Sequence, residues 1–356
     1  MKGGFDIAIG NPPYVEVDEL QYKVAVPDVS NTRNLYSYMI SNCIDKTKEG
    51  AHLSFIVLMA LVASKKMLGI RKKILSHSAS ASFMNIDSAT HPGRVFNNLT
   101  LRLCIVNLNK AKGVNCKINS TNYIRFYQKD RKELFNDVHY TEIDTATILP
   151  DKEGGFIPKI GNDIERSILS KMLQKTDKRI RDFVIKKDSE NHIYYRNTGS
   201  VYYCTGFEEP PFYQSNGKPK ISSTLTKMNL SLNADKYVLL SVIHSSLFYW
   251  YWTLYSDCYH LTSSDIGRFP IDLSDFVNRK EKYNELYSTI QKSMEANKVR
   301  VVYNQAFGLL EYDQYSQRMS KNEYDLVDDE LAHYYGLNED ELAYIKQYDF
   351  EFRQGE

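Results

Sequence analysis

The chain has 356 residues, 41.3 kDa and 45 basic against 44 acidic side chains; that is too long for one small module and is most simply two domains at ~150 residues each. The balanced charge excludes a chain-wide polybasic surface, so any nucleic-acid surface must be local. Hydrophobic residues at 42% suffice for a core, and 27 Tyr with 16 Phe call for a use. Cys43, Cys104, Cys116, Cys204 and Cys258 are odd in number and show no CxxC or Cys/His ligand spacing. They indicate a reducing compartment with neither a disulfide framework nor a metal site. The N-terminus has no signal-peptide h-region, residues 53–63 are too short to span a bilayer, and Tyr237 to Tyr255 carries His244 among serines and aromatics. A cytoplasmic chain without membrane segments is expected.

Phe5 to Gly10 is a short apolar run that reads as a buried strand entering the turn Asn11-Pro12-Pro13-Tyr14. Residues 32–48 place Leu35, Met39, Ile40, Cys43 and Ile44 at helical spacing before Gly50. His52 to Leu58 reads as a strand, 64–76 as a basic amphipathic helix, and 82–88 and 99–108 as further strands separated by the His91-Pro92-Gly93 loop. Strands alternating with helices give an α/β layer architecture for residues 1–112. Residues 113–160 loosen into a polar connection with Gly113, Gly154, Gly155 and Pro158, and 161–275 are mixed α+β with turns at Glu208 to Pro211 and Asn216 to Pro219. Residues 276–356 read as a charged helical tail ending in an acidic helix pair around Leu326 to Tyr348.

The sharpest feature is Asn11-Pro12-Pro13-Tyr14 directly after the strand. Taken alone, four residues describe a proline-rich turn whose Asn satisfies local backbone. In context, a strand precedes them, a helix and a second apolar strand follow, and Val95-Phe96-Asn97-Asn98 comes before another hydrophobic strand. This combination resembles the gamma-class adenine-specific DNA methyltransferases, of the TaqI type and the fused Type IIG restriction-modification enzymes. The resemblance implies the second half of a Rossmann-like methyltransferase sheet, then a target-recognition domain and a helical C-terminal segment. It implies S-adenosylmethionine as methyl donor and double-stranded DNA as partner. It also assigns Asn11, Pro12, Pro13 and Tyr14 to the grip on a flipped-out adenine, with Tyr14 and Phe96 stacking on the base.

Residues 238–271 resemble the closing part of the recognition domain, and Tyr335 to Arg353 the tail of Type IIG-related chains. Arg196, Lys218 and Lys220, with Tyr202 and Tyr203, are the expected DNA contacts in the stretch from Tyr194 to Lys220. The basic helix residues Lys65, Lys66, Arg71, Lys72 and Lys73 either neutralise phosphates or form a solvated face. The serine, aspartate and histidine within Asp87 to His91 read as loop, because nucleophilic triads assemble in space rather than by adjacency. No HxxxH or HExxH motif and no PD...ExK arrangement in strand context suggests a metal hydrolase or nuclease.

Family members bind the cofactor through a glycine-rich loop that precedes NPPY. Here that motif begins at residue 11, and the 17 glycines include no GxG. The family's sheet order, 3-2-1-4-5-7-6, makes the strands present the contiguous fourth to seventh, with Phe5 to Ile9 as an apolar open edge that recruits pairing partners. The expected partner is a complementing chain carrying the cofactor half, or a second copy of the chain. The alternative reading is a DNA-binding specificity module or truncated remnant without transfer activity.

Overall fold

The computed structural model describes residues 4–19, 27–89, 93–97, 99–198, 202–305 and 308–353. The chain divides into two compact units, Met1–Arg166 with Thr253–Asp257, and Ser167–Trp252 with Cys258–Glu356.

The first unit is a mixed α/β sheet. Its elements are β1 (Phe5–Gly10), α1 (Leu35–Lys46), β2 (Thr47–Leu58), α2 (Ala60–Ala63), α3 (Leu68–Ser76), β3 (Ser78–Ser88), β4 (Leu101–Lys110), β5 (Lys117–Ile124) and β6 (Thr141–Glu142). The sheet order is β1-β2-β4-β3-β5-β6. β1 and β2 run parallel, β4 is antiparallel to both β2 and β3, and β3 and β5 are parallel. The first four strands therefore lie in the expected order. Each central strand alternates buried apolar positions, with Leu53, Phe55 and Val57 on β2 and Cys104, Val106 and Leu108 on β4, as a sheet with covered faces demands.

Residues 117–124, expected within a polar connection, instead add a fifth strand. Polar side chains obscured it: Asn85 of β3 sends its amide to Ser120 Oγ and Thr121 O, each at 3.0 Å, so polarity is paired inside the sheet. The basic helix also departs from the solvated-face reading. Arg71 and Lys73 are buried. Arg71 donates to Leu61 O at 2.6 Å, to Gly155 O at 2.9 Å and to Gly154 O, while Lys73 reaches Ser41 Oγ at 2.8 Å and Asp45 at 2.7 Å. These two cations hold the fold together, and only Lys65, Lys66 and Lys72 face solvent.

The second unit takes in most of α4 (Asp163–Lys175), then β7 (His192–Arg196), β8 (Gly206–Phe207), β9 (Tyr213–Ser215), β10 (Lys218–Pro219), β11 (Leu225–Asn229), α5 (Lys236–His244) and α6 (Ser246–Tyr255) as far as Trp252. It continues with α7 (Ser263–Arg268), α8 (Lys280–Ala296), β12 (Lys298–Gln305), β13 (Gly308–Tyr315), α9 (Lys321–Tyr335) and α10 (Glu339–Gln347). Two small sheets form, β11-β7-β8 and β10-β9-β13-β12. The hydrophobic stretch of α5 and α6 is core, with Leu239, Trp250 and Trp252 among its buried residues. No helix among the described residues is long and apolar enough to cross a membrane, and no group of metal-binding side chains occurs among them. The segment expected to be wholly helical contains the hairpin β12/β13, whose β-branched run Val299, Val301, Val302 favours a strand.

Two buried groups in this unit titrate in opposite senses. His244 hydrogen-bonds Gly206 O at 2.9 Å, and burial pulls its pKa down to about 4. Asp328 accepts the Ser246 and Leu247 amides at 3.1 and 2.9 Å, and burial pushes its carboxyl up to about 6. The histidine's contribution to stability is lost as pH falls from 6.5 toward 4, whereas the aspartate's is regained as pH falls from 6 toward 4. Relative to wild type, His244→Gln should gain and Asp328→Asn should lose about 2 kcal/mol between pH 7 and 4.5. Urea midpoints at the two pH values measure this, and a shift of the same sign in both variants would refute it.

Candidate functional site

The turn Asn11–Tyr14 leaves the C-terminal end of β1, the end of a parallel strand at which α/β sheets place ligands. The following chain is clamped. Val17 N donates to Arg33 O and Leu35 N to Val15 O, each at 2.9 Å, and Asn34 caps α1 through the Tyr36 amide. Pro12 is buried while Asn11 and Pro13 are exposed, so the double proline packs into the unit on one side and presents its neighbours on the other.

Tyr14 organises the turn. Its hydroxyl lies 2.6 Å from Asn11 Oδ1 and 3.1 Å from Ile56 O, and its ring meets Tyr36 edge-on at 6.3 Å. Burial pushes its pKa up to about 12, so near neutral pH it stays a protonated donor. A phenol donating to Asn11 Oδ1 fixes the carboxamide with its oxygen as acceptor, and that oxygen retains a second lone pair. The Pro12 carbonyl takes no hydrogen bond among the described residues. Two carbonyl acceptors on adjacent residues thus stand at the end of β1.

Phe96 comes from a different loop and reaches the same place. It and Tyr14 are partly buried against one cluster formed by Met84, Ile86, Val95, Leu103 and Phe126. The loop is held by partners that sequence reasoning did not single out. Val95 N donates to Ser88 Oγ at 2.8 Å, Arg94 N to Gln128 Oε1 at 2.8 Å, and Arg131 to Asn97 Oδ1 at 2.7 Å. Gly93 sits on Phe126 so closely that a Cβ would overlap its carbonyl and ring. Gly93 alone left a sequence signal, as the glycine of a turn; the polar partners are distant in sequence and carry none. Asp87 pairs with Arg125 at 3.2 Å, both side chains almost fully buried, and so serves the fold. His91 and Asn98 lie outside the described residues.

The expected DNA contacts are dispersed. Arg196 is exposed at the end of β7, whereas Lys218 and Lys220 are exposed at and just beyond β10, in the other sheet. Tyr202 is half-buried. Tyr203 is a correction: it is buried, its ring 5.8 Å from Tyr324 with the Arg353 guanidinium 4.4 Å above it. Packing on both sides takes it out of the solvent-facing set.

Residues 1–91 match the Eco57I restriction-modification methylase family. Asn11 to Tyr14 fall inside the matched segment and Phe96 falls just beyond it. The match supports a restriction-modification methyltransferase relationship for this segment. No curated protein matches the chain. Among solved structures, the Type ISP restriction-modification enzyme LlaGI, as a nuclease-deletion mutant with a DNA substrate mimic, is 11% identical over 84% of this chain and 43% of its own, with a TM-score of 0.42. The DrdV–DNA complex is 14% identical over 54% of this chain and 22% of its own, at 0.34. A putative class I S-adenosylmethionine-dependent methyltransferase from Listeria monocytogenes is 17% identical over 33% of this chain and 37% of its own, at 0.24. The chain spans less than half the length of each of these three. At such scores none of them lends functional residues to this chain.

Proposed function

We propose that the chain supplies the target-base portion of a gamma-class, adenine-specific DNA methyltransferase of the TaqI and Type IIG kind, in a restriction-modification system. The observation that carries this reading is the Tyr14 hydroxyl on Asn11 Oδ1 at 2.6 Å, beside the open Pro12 carbonyl at the end of β1. The exocyclic amine of adenine is a poor nucleophile because its lone pair is delocalised into the ring. Asn11 Oδ1 and the Pro12 carbonyl each accept one amine hydrogen and draw the nitrogen toward tetrahedral geometry. Its lone pair is then free to attack, and catalysis is largely positioning and electrostatics. A base inside a duplex must be flipped out to be reached, and Tyr14 with Phe96 stack on it in place of its lost neighbours. Such stacking contributes ~1 to 3 kcal/mol per base, comparable with the unstacking cost.

S-adenosylmethionine supplies the methyl group when bound. The described residues do not fit it by themselves: β1 leads into Asn11–Tyr14 rather than a glycine-rich loop, and the 17 glycines include no GxG. Among the described residues β1 pairs with β2 alone, and in place of the buried strand expected from its apolar run, Phe5, Ile7 and Ile9 on one of its faces are 54, 68 and 80% exposed. An apolar edge of this kind supports pairing with another chain, either one that carries the cofactor site or a second copy of this one. The exposed Arg196, Lys218 and Lys220 of the second unit fit a second reading, a DNA-specificity module that does not transfer methyl groups.

Incubating the full chain with duplex DNA and isotope-labelled S-adenosylmethionine, alone and with the polypeptide encoded immediately upstream, separates the two. N6-methyladenine in the digested DNA is expected with the complementing segment and not without it. DNA that remains unmethylated in both mixtures, with binding intact, would establish the second reading.

A further inference from the structure

The sheet β10-β9-β13-β12 has two chemically distinct faces. On one, Asp313 is buried and takes Arg300 at 2.6 Å and Lys298 at 2.9 Å, while Tyr315 donates to Glu295 of α8 at 3.0 Å, so these groups are satisfied within the unit. Opposite residues of an antiparallel pair project to the same side. The register Val301↔Tyr312↔Tyr213 and Tyr303↔Leu310↔Ser215↔Lys218 therefore defines the other face, and Lys220, two residues beyond Lys218, continues it. None of these residues is buried, and Tyr303 is 58% exposed. The other pairs on that side, Val299 with Gln314 and Gln305 with Gly308, are uncharged.

We infer that this outward face is a docking surface for double-stranded DNA, with Lys218 and Lys220 on phosphates and Tyr213, Tyr303 and Tyr312 against the sugar and base edges. In a chain of 45 basic and 44 acidic residues, the face carries two lysines and no carboxylate. Neither lysine has an ion pair among the described residues. That charge pattern complements a polyanion, and three tyrosines offer flat apolar area with hydroxyls that reach phosphate or sugar oxygens. The hairpin tip is braced for such a load: Asn216 and Gly217 take the left-handed backbone of a tight hairpin turn, and Asn216 Oδ1 accepts the Leu309 amide at 2.8 Å. The choice of DNA as the nucleic acid rests on the proposed function, but the face requires no methyl transfer.

The test is fluorescence anisotropy of the full chain with a labelled duplex of mixed sequence over a range of salt concentrations. Lys218→Gln/Lys220→Gln should weaken binding about tenfold and reduce the log–log salt slope by about 2. Lys280→Gln/Lys292→Gln, the same charge change on exposed positions of α8, should leave both unchanged. Photocross-linking to 5-iodouracil-substituted DNA should map to Tyr303 or Tyr312. Absence of duplex binding by the wild-type chain, equal weakening by both double variants, or cross-links confined to other elements would each overturn the assignment. Duplex binding is read without a methyl donor and methyl transfer only with one, so failure of the face and failure of the methyltransferase reading give different results.

Discussion

Asn11→Ala is expected to reduce methyl transfer by the complemented enzyme by about 10²–10³-fold, the scale set by removing one preorganised acceptor or donor from a reacting centre. The loss should fall on kcat rather than on DNA affinity. Asn11 is exposed and its carboxamide oxygen faces the Tyr14 hydroxyl at 2.6 Å, so truncation leaves the core unchanged and removes one of two acceptors for the amine. Tyr14→Phe separates orientation from stacking. It keeps a ring against the Met84, Ile86, Val95, Leu103 and Phe126 cluster but frees the carboxamide to rotate. A smaller drop, about fivefold, is expected, of the size of one hydrogen bond of ~1 kcal/mol. Single-turnover kinetics on a duplex containing the target measures both. An Asn11→Ala enzyme with an unchanged transfer rate would remove Asn11 from the chemistry.

Gly93→Ala should have a large effect although it lies outside the turn. Its Cβ would overlap the Phe126 carbonyl and ring, and backbone cannot give way as a flexible side chain can. Overpacking of this kind costs about 1–3 kcal/mol. The strain falls on the loop held by Ser88, Gln128 and Arg131, and so displaces Phe96. Misplacement of a site element by about 1 Å can reduce rate ~10²-fold. Thermal melting and transfer rate measured together test this. The expected pattern is a modest fall in Tm with a large fall in rate that matches Phe96→Ala. A Gly93→Ala protein that melts and transfers as wild type does would show that the loop tolerates the Cβ and does not position Phe96.

Much of the first unit was legible in the chain. β2, β3 and β4 follow from apolar runs ended by glycine, proline or polar loops, because a strand covered on its faces needs branched and aromatic side chains at consecutive or alternating positions; β1 forms from the same kind of run, but its Phe5, Ile7 and Ile9 stay exposed. β5 was not legible. Its Asn119, Ser120, Thr121 and Asn122 look like loop residues, and only the Asn85 amide opposite them makes that polarity compatible with burial. Arg71 and Lys73 show the same limitation: on a helix they resemble a solvated stripe, and only the carbonyls and hydroxyl that converge on them in space show that they are buried. Tyr203 errs in the reverse sense, since nothing along the chain announces that Tyr324 and Arg353 cover it.

The site divides along the same line. Asn11-Pro12-Pro13-Tyr14 is contiguous, so residue types, stiffness and the preceding strand determine by sequence alone that two carbonyl acceptors and an aromatic ring stand at the end of β1. The Tyr14–Asn11 hydrogen bond, the shared cluster under Tyr14 and Phe96, and the tyrosine and lysine face of the β10-β9-β13-β12 sheet were decided by tertiary structure. Each depends on which strand lies beside which and in what register, and register is a property of pairing between segments far apart in the chain.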